Sequence, residues 1–179
     1  MLVSTASLET ERLYLRQFRE SDLDAYAEMC ADREVMRYVG SGQTLTRSES
    51  WRSMATILGH WHLRGFGLWA VEEKTSGELI GRIGCWQPEG WIDFEVGWSL
   101  RRVYWGKGYA IEAAQASVQY AFEQLNRTHV ISLINPDNWR SIRVAERLGE
   151  IVIGRAEGST GALIYKLEQP DWQKQRAQK

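Results

Sequence analysis

The segment from Trp91 to Ile134 constrains the fold more than any other part of the chain. "WIDFEVGWSL" (91–100) alternates, with Ile92, Phe94, Val96, Trp98 and Leu100 on one face and Asp93, Glu95, Gly97 and Ser99 on the other. "VYWGKGYAIEAA" (103–114) then sets two glycines directly against a helix-forming run. The helix reads to about residue 125, with Ile111, Ala114, Val118, Ala121, Phe122 and Leu125 on one face. "HVISLI" (129–134) follows as a nearly unbroken apolar run, the signature of a strand covered on both faces. One helical crossover between two strands places the strands near residues 95 and 131 parallel. Two glycines in three positions cost backbone entropy, so something should require them. A helix N-terminus carries about four unpaired N–H groups, and its dipole favours negative charge. Gly106 and Gly108 therefore suit an anion-binding nest; they equally suit a tight strand-to-helix connection without a ligand.

The remaining elements build outward from this unit. "RLYLRQF" (12–18) reads as a strand. Ser21, with Asp24 three residues on, predicts a helix start, and Leu23, Tyr26, Ala27 and Cys30 share one face. Thr46 and Glu49 form a second capping box before Trp51, Met54, Leu58 and Trp61 at helical spacing. "GLWAVEE", "KTSGE" and "LIGRIGCW" predict a β-hairpin. "NWRSIRVAERLG" is a helix capped by Asn138 and ended by Gly149, and two short strands near "VIGRAE" and "ALIYKL" complete the sheet. No linker, repeat or low-complexity segment interrupts the chain, so all of residues 1–179 are expected in one α+β domain, with a core of about 11–168 and a short C-terminal tail.

The glycine turn fits neither common nucleotide loop. A P-loop needs Ser or Thr after the lysine, and here Gly108 follows Lys107, while Arg101 stands where the first glycine belongs. The dinucleotide fingerprint needs a third glycine where Ile111 stands, and an acidic residue about twenty positions on, where the chain has Asn126. "WGKGYA" (105–110) instead resembles the acyl-CoA pyrophosphate loop of the GNAT superfamily of N-acetyltransferases. Gly108 and Ala110 match the last two specified positions of that pattern, and Trp105 replaces its usual Gln or Arg. "ERLYLR" (11–16), "EVGW" (95–98) and the Asn138–Gly149 segment are similar to motifs of the branch that includes the ribosomal-protein N-terminal (alanine) acetyltransferases. The resemblance runs from about Glu11 to Leu167.

That resemblance implies a mixed, mostly antiparallel, twisted sheet of about seven strands with helices on both faces. It also implies a splayed parallel pair holding acetyl-CoA, with no metal. The cofactor-binding positions carried over are Trp98, Leu100, Trp105, Gly106, Lys107, Gly108, Tyr109, Ala110, Asn138 and Ser141. Backbone groups of Trp98 and Leu100 would meet pantetheine, an N–H near Trp98 would receive the oxyanion, and Asn138 would contact pantetheine. Arg101, Arg102, Lys107 and Arg143 are further candidates for the phosphates. Glu95, on the polar face of its strand, is the candidate base, with Asp93 in reserve. The family's usual acid, a Tyr seven residues after the Asn, is Ala145 here, so Ser141 is the substitute by position. Glu150 stands where Phe often follows the helix-ending glycine.

Composition bounds the partners. A net charge of −1 gives no global attraction to nucleic acid or an anionic membrane, and no apolar run is long enough to span a bilayer. The N-terminus lacks the pattern of a signal peptide, and Cys30 and Cys85 show no metal or redox spacing, so a cytoplasmic protein is expected. The acceptor is expected to be an amine, either a peptide N-terminus or a small molecule, and the protein a monomer or homodimer. The alternative is a catalytically inactive CoA-binding, sensor or interaction module of the same fold.

Overall fold

The computed structural model describes residues 6–157 and 161–178. Two short edge pieces open the sheet, β1 (Leu8–Glu9) and β2 (Leu13–Arg16). After a 3-10 turn at Glu20–Asp22 come α1 (Leu23–Ala31), α2 (Arg33–Met36) and α3 (Arg47–Arg64). The hairpin β3 (Leu68–Glu73) and β4 (Leu79–Trp86) leads to β5 (Glu95–Leu100). A 3-10 turn (Arg102–Tyr104) and the glycine loop enter α4 (Tyr109–Glu123), which crosses to β6 (His129–Ile134). The chain ends through α5 (Trp139–Leu148), β7 (Ile151–Arg155), β8 (Leu163–Glu168) and α6 (Gln169–Ala177).

The sheet has eight strands in the order β1-β2-β3-β4-β5-β6-β8-β7, antiparallel except between β5 and β6. The expected count of seven is corrected by Leu8–Glu9, a two-residue strand too short to show a period of its own. The expected short tail is the helix α6, whose Trp172 packs its ring against Phe122 of α4. At the start of α1 the anticipated cap at Ser21 is displaced: the Asp22 carboxylate instead accepts the Arg19 N–H and pairs with Arg16. The capping box of Thr46 and Glu49 forms as read. On α3 the buried stripe is Met54, Ile57 and Trp61, and Trp51 lies half exposed outside it.

Helices cover both faces of the central strands. The Cys85 thiol of β4 reaches the Ser117 carbonyl of α4 at 3.9 Å, while the Arg82 charge, on the alternate face, acts on Tyr26 and Cys30 of α1. Ala113, Ala114 and Ala121 of α4 are completely buried, so the helix backbone lies close to the sheet. β4 and β5 approach closely at Gly81, where an added Cβ would sit 2.2 Å from the Ser99 carbonyl oxygen and 2.7 Å from Leu100 Cδ2. Both neighbours are fixed by the sheet, so Gly81→Ala is expected to destabilise the protein by about 3 kcal/mol. A urea titration of wild type and variant measures it, and a loss under about 0.5 kcal/mol would show that the sheet gives way at this point.

Candidate active site

The crossover predicted from the sequence is present, and its strand pair is bridged only at Glu95↔Ile131. The Ile131 N–H donates to the Phe94 carbonyl at 2.9 Å, and the Arg101 N–H to the Ile80 carbonyl of β4 at 2.8 Å. Odd positions of β5 thus turn their backbone groups to β4, and Phe94, Val96, Trp98 and Leu100 turn theirs to β6. In a regular parallel ladder the Val96 carbonyl would next accept the Leu133 N–H. Here it accepts the Ser132 hydroxyl at 2.8 Å, and the Leu133 N–H is directed at the Glu95 carboxylate. The strands part at this point and leave the Trp98 backbone facing a gap. The Leu100 carbonyl accepts the Trp105 indole N–H at 2.8 Å, while the Leu100 N–H remains open to a ligand.

The gap continues into a cleft of about 530 Å³ lined by Trp98, Leu100, Trp105, Gly106, Gly108 and Ser141, among others. A separate depression of about 570 Å³ between Leu23, Arg47, Ser48, Trp51 and Arg52 lies away from the parted strands and holds no acid–base pair at its wall. Gly106 and Gly108 both have positive φ, 76° and 83°. A Cβ on Gly106 would meet nothing within 4 Å, so its backbone lies open to a ligand. Gly108 precedes α4 without a side-chain cap, which leaves the first N–H groups of the helix unpartnered by side chains at the cleft. This is an uncapped, side-chain-free cradle for an anion, and the residues fit a pyrophosphate.

The loop is held from outside by the N-terminal motif. Arg12 donates to the Lys107 carbonyl at 2.9 Å and to Glu112 of α4 at 2.7 Å, and Thr10 donates to the other Glu112 oxygen at 2.6 Å. The Tyr109 hydroxyl donates to Glu73 of β3. Tyr109 thus serves the cleft by its backbone, with its side chain anchored behind the loop. Lys107 lies 5.0 Å from the centroid of the Tyr104 ring. Arg101 pairs with Glu28 and Glu78, and Arg102 with Asp32, so these two side chains are engaged within the protein. Arg140 and Arg143 flank the exposed Trp139 ring at 4.5 and 4.8 Å on the cleft rim.

Across the cleft, Asn138 caps α5 by accepting the Ser141 N–H at 3.3 Å. The Ser141 hydroxyl oxygen accepts two hydrogen bonds, from the Trp98 indole at 3.2 Å and the Asn138 amide at 3.0 Å. Both donors carry hydrogens only, so the Ser141 proton itself remains free to donate.

Glu95 and Asp93 have different surroundings. Burial pushes the Glu95 carboxyl up to about 7, although the Trp91 indole at 2.7 Å, the Leu133 N–H and the Arg82 charge favour its ionised form. Its carboxylate lies over Gly97, where a Cβ would approach Oε1 to 3.5 Å. Asp93 precedes β5, accepts from the His129 ring at 2.7 Å and from the Phe94 N–H, and is held below its ordinary range although burial opposes that. It is thus tied into a carboxylate–imidazole pair.

A family profile described as an acetyltransferase (GNAT) domain matches residues 12–150. The chain belongs to the GNAT acetyltransferase family. It is 32% identical over 142 residues to the uncharacterized N-acetyltransferase YnaD of Bacillus subtilis, covering 79% of this chain and 81% of that one. The crystal structure of an acetyltransferase from Agrobacterium tumefaciens is 34% identical, with a TM-score of 0.83 over 93% of this chain and 96% of that chain. The ribosomal-protein-S5-alanine acetyltransferase of Vibrio fischeri, at 21% identity and a TM-score of 0.73, shares the fold. The protein is an N-acetyltransferase of a family that uses acetyl-CoA, and no described helix is long and apolar enough to cross a membrane.

Within this acetyltransferase the structure brings Trp98, Leu100, Trp105, Gly106, Gly108, Tyr109, Ala110, Asn138 and Ser141 to the walls of one cleft. Lys107 lies between the two loop glycines, and Glu95 stands on β5 just before the gap. Sequence reasoning missed the Arg12 clamp, the Trp91 donor and the burial of Glu150. The Arg12 clamp had a signal in the "ERLYLR" match, which carried no assigned role. The Asn138 cap supplies a stability measurement: Asn138→Ala is expected to cost about 1 kcal/mol in chemical denaturation. An unchanged midpoint would show that α5 needs no side-chain cap.

Proposed function

We propose that this acetyltransferase moves the acetyl group of acetyl-CoA to a peptide N-terminal α-amine by direct attack, with Glu95 as base and Ser141 as hydrogen-bond donor to the leaving sulfur. The observation that carries the reading is the Glu95 carboxyl, raised to about 7 beside the point where β5 and β6 part. A base of that strength is matched to an α-ammonium, which titrates near 7.7–8.0, far better than to an alkyl ammonium near 10.4. Bound acetyl-CoA supplies a thioester whose carbonyl oxygen gains negative charge under attack. The Trp98 N–H, pointing into the gap, stabilises that charge, and such a donor is worth about 2.7–4 kcal/mol. Ser141, with its lone pairs filled by Trp98 and Asn138, donates a hydrogen bond to the departing sulfur, which leaves as the thiolate. The first N–H groups of α4 and the bare backbone of Gly106 and Gly108 hold the pyrophosphate. Small-molecule amines are the second acceptor class; the glycine-rich segments 37–46 and 154–163 carry no acidic cluster that would demand a polycation, and residues 158–160 of the latter lie outside the described residues.

Thiol release from acetyl-CoA, measured with a panel of free-α-amine peptides, Nα-blocked lysine peptides and polyamines, tests the reading. Free α-amines are expected to dominate, with turnover rising as pH passes through about 7 because Glu95 must lose its proton first. Glu95→Gln should lower turnover by about 10²–10⁴-fold with little change in acetyl-CoA affinity, and its deficit should shrink at high pH. Near-normal turnover of that variant at neutral pH removes Glu95 as base, and a preference for polyamines overturns the acceptor.

Acetyl-CoA at about 100 times its Kd should stabilise the wild type by roughly 2.7 kcal/mol. Gly108→Val should abolish that thermal shift while circular dichroism stays native, because a Cβ there meets Arg12 Nη2 at 3.3 Å and a branched side chain resists the φ of 83°, so both the Arg12 clamp and the loop conformation are lost. A retained shift would place the phosphates elsewhere.

A further inference from the structure

Among the described residues two buried carboxyls stand outside the proposed reaction: Asp22, which is ion-paired with Arg16, and Glu150. It follows Gly149 at the head of β7 and is 3% exposed, yet its Oε2 has no hydrogen-bond partner, and no cation among the described residues lies within ion-pair distance. Its Oε1 is 3.0 Å from the Ser132 hydroxyl, the same hydroxyl that replaces the ladder bond at Val96. The charged and titratable groups that interact with it are Glu95 on β5 and Tyr165 on β8, and Tyr165 also feels Glu146 of α5; the neighbouring Lys166 of β8 is paired with Glu168. Ser132 is buried and has a single hydroxyl proton. The Val96 carbonyl can only accept, and at 2.8 Å it is the nearer partner. With that proton directed to Val96, the contact to Glu150 is a hydrogen bond only if the carboxyl carries a proton and donates it. An ionised Glu150 would take the Ser132 proton and strip the Val96 carbonyl of its partner.

We infer that Glu150 is a protonated positioning residue that locks Ser132 onto Val96 and so holds the strands apart beneath Glu95, and that its ionisation sets an alkaline limit on turnover. The inference rests on the reading of Glu95 as base. On ionisation the Glu150 proton leaves to solvent, the Ser132 hydroxyl turns to the new carboxylate, and a second negative charge arises beside Glu95. That charge opposes the oxyanion and holds the acceptor amine protonated. Burial raises Glu150 to about 8; the Ser132 hydrogen bond works against this, and the Glu95 charge adds to it. Glu95, at about 7, ionises first, while Glu150 is still neutral.

The test is a carbon-13 titration of assigned glutamate carboxyls in the wild type and in Glu95→Gln, together with the pH profile of Glu150→Gln, whose amide donates to Ser132 but cannot ionise. The Glu150 signal is expected to titrate above that of Glu95, and to move down in Glu95→Gln. Turnover of Glu150→Gln relative to wild type should rise several-fold as pH passes through about 8. A group raised by folding contributes stability that is lost as pH rises through its folded value, so the decline in wild-type stability toward pH about 8 should be shallower in Glu150→Gln. A Glu150 signal titrating in the ordinary range near 4.3, or a rate ratio flat across pH, overturns the inference. If no amine releases thiol from either protein, the acetyl-transfer reading of Glu95 falls, and the titration and stability profiles alone decide the state of Glu150.

Discussion

A parallel strand pair that is joined by a long crossover and then refuses to zip is the constraint on which the site depends. Parallel pairing is evenly spaced, so once Ile131 donates to Phe94 the ladder has no intrinsic reason to stop. It stops because two side chains turn to the next backbone partners: the Ser132 hydroxyl satisfies the Val96 carbonyl, and the Glu95 carboxylate lies toward the Leu133 N–H. The Val96 carbonyl is thus not left unpaired, so the interruption avoids the cost of burying that acceptor as an orphan. The open stretch beyond it can then be filled by a ligand that supplies the missing strand-like hydrogen bonds. The candidate base is thus part of the device that opens the cleft, and its position and its environment have one origin.

The phosphate end of the cleft depends on a different constraint. Backbone with positive φ at Gly106 and Gly108 is permissive but not self-supporting, and the loop is fixed by groups that never meet the ligand. Arg12 joins the Lys107 carbonyl to Glu112, one turn into α4, and Thr10 completes the carboxylate. The turn between β1 and β2 therefore sets the orientation of a helix start about a hundred residues later. Preorganisation of this kind lowers the ordering cost of binding, because the N–H groups already point to one place.

Much of this arrangement was legible in the sequence. The strand-helix-strand unit, the Glu95–Ile131 neighbourhood and the Asn138 cap follow from period, length and capping chemistry, all of which are local. The departures are non-local. Leu8–Glu9 becomes a strand only because Leu15 and Tyr14 lie opposite it. Trp51 fits the helical spacing of α3 but points past the edge of the core, and Ile57 is buried in its stripe instead. Asp93 and Glu95 share a face by alternation, yet Asp93 lies ahead of the strand and is claimed by His129 from β6. A pairing across 36 residues leaves no trace in spacing. Glu150 was visible as a departure from the family pattern, but only the fold shows that its carboxyl is buried against Ser132.

The loss of the usual tyrosine acid has a structural answer in the same network. Ala145 is completely buried in a small cluster with Ile134 and Tyr165, beneath the wall of the cleft, so a large side chain there would have to displace that packing. Ser141, one turn earlier on α5, faces the parted strand instead and is oriented by Trp98. A serine hydroxyl is a far weaker acid than a tyrosine, but a thiolate leaving group asks little of its acid, since a thiol near 8.5 leaves readily as the anion. What the departing sulfur needs is a hydrogen bond at a fixed place. The two donors that saturate the Ser141 oxygen leave its proton as the group able to give it. Acid strength is thereby exchanged for orientation, in a reaction where orientation matters more.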